Sequence, residues 1–192
     1  MQHARSGHDP RSTLPRAMAT CVCAAIFLLA CGAASSARAG EAVTARQNLP
    51  VALQAADVWA DDAQLVWVEN DTPLDGAGRA QAWGYLFYSP GLHAMRSYSV
   101  RDGQLVHAED QSVSVAAPAL ETWLDSGEVL QRACRQAAAD GEPQALPENL
   151  LLVRGVFAPR TAWVAVFARA GGTRLFVVCD AASGEVLRSW RG

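Results

Sequence analysis

One phrase occurs twice in this chain, eighty residues apart, and nothing else in the sequence restricts the fold as much. "AWGYLFYSPGLHAMRSYSVRDGQLV" runs from Ala82 to Val106, and "AWVAVFARAGGTRLFVVCDAASGEVL" from Ala162 to Leu187. Trp83 falls on Trp163 and Phe87 on Phe167. After a connection two residues shorter in the second copy, Arg96 meets Arg174 and Val100 meets Val178. Asp102-Gly103 then meets Asp180 and Gly184, with three residues inserted between, and Leu105-Val106 meets Val186-Leu187. In the closing stretch Leu175, Val177 and Cys179 alternate with Phe176 and Val178, the period of a strand. Asp180 can accept hydrogen bonds from turn amides, and Gly184 can take the positive φ of a bulged hairpin loop.

The flanks repeat as well. Upstream of the first copy, "LPVALQAADVWADDA" (residues 49–63) reads as a short helix with Pro50 near its first turn, where a missing N–H costs nothing. Val51, Ala55, Val58 and Trp59 share one face of it. Upstream of the second copy, "LDSGEVLQRACRQAAADG" (residues 124–141) has Asp125 as N-cap with Glu128 three residues on, close to a capping box. Val129, Leu130, Ala133, Cys134 and Ala137 form its apolar stripe, and Gly141 ends it. Strand-like runs follow each helix, over residues 63–69 and 149–157. The expected fold is therefore α+β, with two tandem units at 48–108 and 123–192. Each would be a helix packed on an antiparallel sheet of three to four strands. Residues 109–122, with Pro118 among them, read as a linker.

Residues 1–39 read as a signal peptide. Arg5, Arg11 and Arg16 precede the apolar run "AMATCVCAAIFLLA" at residues 17–30. That run suits a signal h-region and is short of the roughly twenty residues a membrane span needs. Two cleavage signals compete: "ARA" at residues 37–39, and the lipobox-like "LLAC" at residues 28–31, which would leave Cys31 as a lipidated N-terminus. The first yields a periplasmic or secreted protein and the second a membrane-anchored lipoprotein. Removing residues 1–39 takes away four arginines and Asp9, so the net charge moves from −3 to −6. An acidic surface repels phosphate backbones, which argues against nucleic acid as a partner. All basic residues are arginine, so the chemistries that need a lysine amine are absent. In the body of the chain two cysteines remain, Cys134 and Cys179. In an oxidising compartment they suggest one disulfide pinning the second helix to its sheet, with two buried free thiols or a metal site as the alternatives.

A helix followed by antiparallel strands that end in "VVCDAASGEVL" resembles the PepSY domain of bacterial envelope and secreted proteins. Ser183 stands where that family usually has threonine, and Cys179 sits just before the aspartate. Two such units in tandem also resemble the β-lactamase-inhibitor-protein-like architecture. The likeness covers residues 125–190 well and the first copy loosely. It implies an exported, non-catalytic module, linked in some members to peptidase inhibition, and it transfers no catalytic residue.

Candidate chemistry is sparse. His93 falls in a hairpin loop and His107 at a strand end, and no nucleophile motif accompanies either. Glu69, Asp71 and Asp75 cluster around turn residues without the spacing of a calcium loop. His107, Glu109 and Asp110 make an equally weak metal set. The expectation is no enzyme, no cofactor and no metal. Trp59, Trp83 and Trp163 fall at core positions. Trp67, Trp123 and Trp190 are candidates for a binding patch on an open sheet face. The functional expectation is an exported envelope protein that binds a protein or peptide partner, in the manner of a peptidase inhibitor. The alternative is a lipid-anchored envelope structural or assembly factor.

Overall fold

The computed structural model describes residues 40–192 apart from 113–114, 143–144 and 170. The leader, with Cys31 and both cleavage signals, lies outside the described residues. In chain order the elements are α1 (Ala45–Trp59), β1 (Gln64–Asn70), β2 (Ala82–Ser89), β3 (Ala94–Arg101) and β4 (Gln104–Asp110). Then come α2 (Ser126–Ala139), β5 (Asn149–Arg154), β6 (Thr161–Ala168), β7 (Arg174–Asp180) and β8 (Val186–Arg191).

Two separate helix-on-sheet units are not what forms. Among the described residues the strands make one eight-stranded antiparallel sheet in the order β4-β3-β2-β1-β5-β6-β7-β8, a mostly-β architecture with two helices on one face. The difference lies at one seam. β1 and β5 would each be an exposed edge in an isolated unit, with unpaired N–H and C=O groups. Here they pair with each other, Trp67 opposite Val153, Val68 opposite Leu152 and Glu69 opposite Leu151. Two edges vanish and one core runs beneath both helices.

The register of the second copy also differs from the sequence alignment. Trp83 pairs with Val100, but Trp163 pairs with Cys179, and Phe87 pairs with Arg96 where Phe167 pairs with Leu175. Val100 therefore matches Cys179, and Arg96 matches Leu175, one residue away from the equivalences drawn above. A slip of one residue exchanges the two faces of a strand. Counted between these paired positions, the β6–β7 connection is one residue shorter than the β2–β3 connection, not two, and the two aspartates that anchor the alignment sit in different turns. Asp102 and Gly103, at φ 53° and 68°, close β3 and β4 with a two-residue turn. The β7–β8 connection is longer, and the Asp180 carboxylate organises it. Its Oδ1 accepts from the Ala182 and Ser183 amides (3.1 and 2.8 Å) and the Ser183 hydroxyl (3.0 Å). Oδ2 lies 2.9 Å from the Arg160 guanidinium, an ion pair by distance without hydrogen-bond alignment. Gly184 supplies the left-handed residue at φ 72°.

Helix α1 starts earlier than the sequence suggested. Val43 bridges to Ala80, and Pro50 lies inside the helix, where it removes the bond to the Arg46 carbonyl. Two side chains from the sheet and one from the helix hold them together. Tyr85 donates to the Ala45 carbonyl (2.6 Å), Tyr98 donates to the Ala55 carbonyl (3.2 Å), and Asn48 donates to the Val100 carbonyl (3.1 Å). Helix α2 opens with a complete capping box from Asp125 and Glu128. The two helices begin side by side. Asp125 Oδ1 accepts from Ser126 N at 2.8 Å and from Arg46 N at 3.1 Å, so one carboxylate serves both N-termini. Ser126 Oγ accepts from Ala45 N and donates to the Gly78 carbonyl.

The repeated tryptophans occupy matching places. Trp83 donates its indole N–H to the Val43 carbonyl (2.8 Å) and Trp163 to the Leu124 carbonyl (2.9 Å), in each case the residue before the N-cap of its own helix. Both are completely buried, with Phe87, Phe167, Val68 and Leu152 beside them in the core. Among the described residues no helix is long and apolar enough to cross a membrane.

Candidate functional site

The face of the sheet away from the helices carries a cleft of about 430 Å³. Its position follows from a β-bulge. Leu65 pairs with Phe87 and Trp67 with Leu86, so Val66 is the extra residue, and Val66 and Trp67 both turn to the open face. The half-buried Trp67 and Leu86 form an apolar floor. Glu69, Ser97, Ser99, His107 and Gln111 supply polar groups around it.

Asp71 lies across β2 and accepts from the Ser99 hydroxyl. Gly84 makes room for it, since a Cβ there would meet Asp71 Oδ1 at 2.6 Å. Gln111 Nε2 donates to Ser97 Oγ at 2.9 Å. His107 sits directly across from Ser99 on the neighbouring strand, but its Nε2 lies 3.2 Å from Glu109. Hydroxyl and imidazole are each held by a carboxylate and not by each other. Burial pushes the Glu69 carboxyl above its ordinary 4.5, and the Asp71 charge adds to the effect. The result is a shallow apolar floor rimmed with hydrogen-bonding and acidic groups, suited to laying an extended ligand across several strands.

Of the three candidate patch tryptophans, two face this side. Trp67 floors the cleft. Trp190 on β8 stacks on Phe176 at 4.9 Å between centroids, lies 5.8 Å from Phe157, and has Arg188 over its ring at 5.0 Å. Trp123 is on the other side. It is buried edge-on against Trp163 at 5.7 Å and covered by the Arg46 guanidinium at 4.2 Å. The reason lies in the segment expected to be a linker. It crosses from the open face, where Ala117 packs on Val66, to the helix side, where Leu120 N donates to the Leu65 carbonyl.

Cys134 and Cys179 are both free thiols, which corrects the expected disulfide. Cys179 faces the helix in phase with Leu175 and Val177, as read from the alternation. Cys134 sits on the flank of α2, where its thiol donates to the Ala145 carbonyl at 3.8 Å. The sheet-facing positions of α2 are Val129, Leu130, Ala133 and Ala137. Asp75, from the acidic run, accepts from the amides of Ala77 and Arg79 and pairs with the Arg79 guanidinium at 2.9 Å, a turn-holding role. Among the described residues no group of three potential metal ligands converges. Ser97, Ser99 and Leu86 escaped the sequence reading. The one local signal for them was Gly84, a glycine inside a strand, which marks close approach by another group.

Neither a family model nor a curated protein matches the chain. Its fold is similar to that of a solved structure, a candidate lipoprotein from Clostridium difficile 630. The TM-score is 0.53 at 9% identity, over 73% of this chain and 90% of the other. At that identity the likeness is one of fold.

Proposed function

We propose that this is an exported, non-catalytic envelope protein that binds an extended segment of a protein or peptide partner on the open face of its sheet. The observation that carries the reading is the half-buried Trp67 indole, exposed in a cleft among hydrogen-bonding side chains from β1, β3 and β4. Aromatic side chains in such settings supply much of the energy of protein recognition, and the surrounding polar groups fix orientation. The PepSY-like phrase ending at Leu187 supports the non-catalytic part. The test is photo-crosslinking in cells, with a photoreactive residue at Ser99 in the cleft or at Arg135 on α2. Adducts with a protein partner at the first position alone, lost in Trp67→Ala, are the expected result. Equal labelling at both positions, or none at Ser99, would overturn the reading.

A second reading, attachment to the membrane through a lipidated Cys31, is favoured by "LLAC" at residues 28–31. That a protein of similar fold is described as a candidate lipoprotein agrees with it. The intact mass of the processed protein separates the two: a diacylated chain starting at Cys31, or a bare chain starting at Gly40.

A further inference from the structure

The helix side of the sheet is not the same in the two halves. Counted from their N-caps, Thr44 and Asp125, the helices align so that Val51, Gln54 and Ala55 correspond to Arg132, Arg135 and Gln136. The strands align through their pairing, with Leu105 opposite Val100 in one half and Val186 opposite Cys179 in the other. In the second half these positions line a groove of about 310 Å³ between α2 and β8, where the Arg132 side chain folds against Gly184. In the first half the matching groove, between α1 and β4, measures about 650 Å³. Its walls are Val51, Ala55, Val58, Trp59 and Leu105, with Gln54 as a polar member. Val58 is 86% exposed and Leu105 42%. The fold does not demand an apolar groove here, since its own second half fills the same place with arginine.

One residue reverses that pattern. Arg96 stands in the apolar groove at the position that Leu175 holds, fully buried, in the second half. Its guanidinium lies 5.8 Å from the Tyr98 ring and reaches the largely exposed Asp110 at 3.4 Å. Its Nε is buried and has no hydrogen-bond partner among the described residues. Among the described residues that line the groove Arg96 is the one charged group, with Asp110 beside it. A planar donor with unused hydrogen-bonding capacity, set against an apolar trough, is complementary to an oxyanion carrying a hydrocarbon chain.

We propose that the groove between α1 and β4 binds a long-chain fatty acid, its tail along Val51, Val58 and Leu105 and its carboxylate on Arg96. The surface is distinct from the open-face cleft, so the two readings stand or fall separately. The test uses the processed protein, palmitate below its micellar concentration, and displacement of a fluorescent polyene fatty acid. Palmitate should bind saturably at one site and hexadecanol about tenfold or more weaker, as expected for loss of a charge-assisted hydrogen bond. Arg96→Leu should erase that preference. Val51→Arg, which copies Arg132, should weaken palmitate about tenfold or more by filling the trough with a charged side chain. Val58→Asp, at an exposed site that leaves folding intact, should do the same, and Trp67→Ala should change nothing. Absence of saturable binding, equal affinity for palmitate and hexadecanol, or binding unmoved by both Val51→Arg and Val58→Asp would overturn the proposal.

Discussion

Arg46 donates its backbone N–H to the side chain of Asp125, the N-cap of the other helix, at 3.1 Å. Two positive helix ends thus share one carboxylate, which also accepts from Ser126 N. Loss of a single N-cap costs about 0.5–2 kcal/mol. Because Asp125 serves two helices, Asp125→Ala should fall at or above the top of that range, about 2 kcal/mol, in urea unfolding. A cost below about 0.5 kcal/mol would mean the shared cap contributes nothing.

Trp83 and Trp163 should respond alike. Each is fully buried and each bonds the carbonyl before its helix. Replacement by alanine should cost about 3–5 kcal/mol at either site, and replacement by phenylalanine should show the lost hydrogen bond, about 1 kcal/mol, within a larger packing change. A marked difference between the two alanine variants would break their equivalence.

How much of this was readable beforehand depended on how local the signal was. The capping box of α2 and the Asp180 turn are written within a few residues, and the structure contains both. The β1–β5 seam joins residues more than eighty positions apart, such as Trp67 and Val153, and no local pattern announces it. The strand register went astray because the alignment shortens the β6–β7 connection by two residues where the pairing shortens it by one, matching aspartates that sit in different turns. Trp123, next to the stretch read as a linker, has no local pattern that marks it as buried. Its burial comes from Trp163 and Arg46, both remote in sequence. For the cleft, Trp67 was visible as an aromatic on a strand, but the bulge at Val66 that turns it outward was not.

Acid should act through Asp180. Hydrogen bonds from Ser183, aided by the Arg160 charge, hold its carboxyl below the ordinary 3.8. A depressed carboxyl contributes stability that is present above the unfolded value and lost as pH falls through the folded one. Unfolding free energy should therefore drop as pH goes below about 3.8, and Asp180→Asn should flatten that part of the profile. Glu69 has the opposite sign. Burial raises its carboxyl above 4.5, so its contribution is present below that value and lost as pH rises through the folded one. Glu69→Gln should gain stability relative to the natural chain at neutral pH and not at pH 4. Parallel profiles for all three proteins would contradict both assignments.

Both thiols should titrate. In unfolded, unreduced protein starting at Glu41, a thiol reagent should find Cys134 and Cys179 free. In the folded protein burial pushes the Cys179 thiol up to about 11, so at pH 8 its alkylation should be far slower than that of an unhindered cysteine. Recovery of a single disulfide-linked species would refute this.

The seam between β1 and β5 has a kinetic meaning. Every other strand pair is a hairpin or a near neighbour in sequence, whereas the seam closes a loop of about eighty residues, and loop closure of that length delays contact formation. Each half can therefore gather its hairpins before the halves join, and the seam belongs to the late side of the folding barrier. Weakening it with Leu152→Ala, at the register partner of Val68, should accelerate unfolding more than it slows folding. How long one molecule stays folded is then governed at the middle of the sheet, where the two copies of the repeat grip each other, and not at its outer strands.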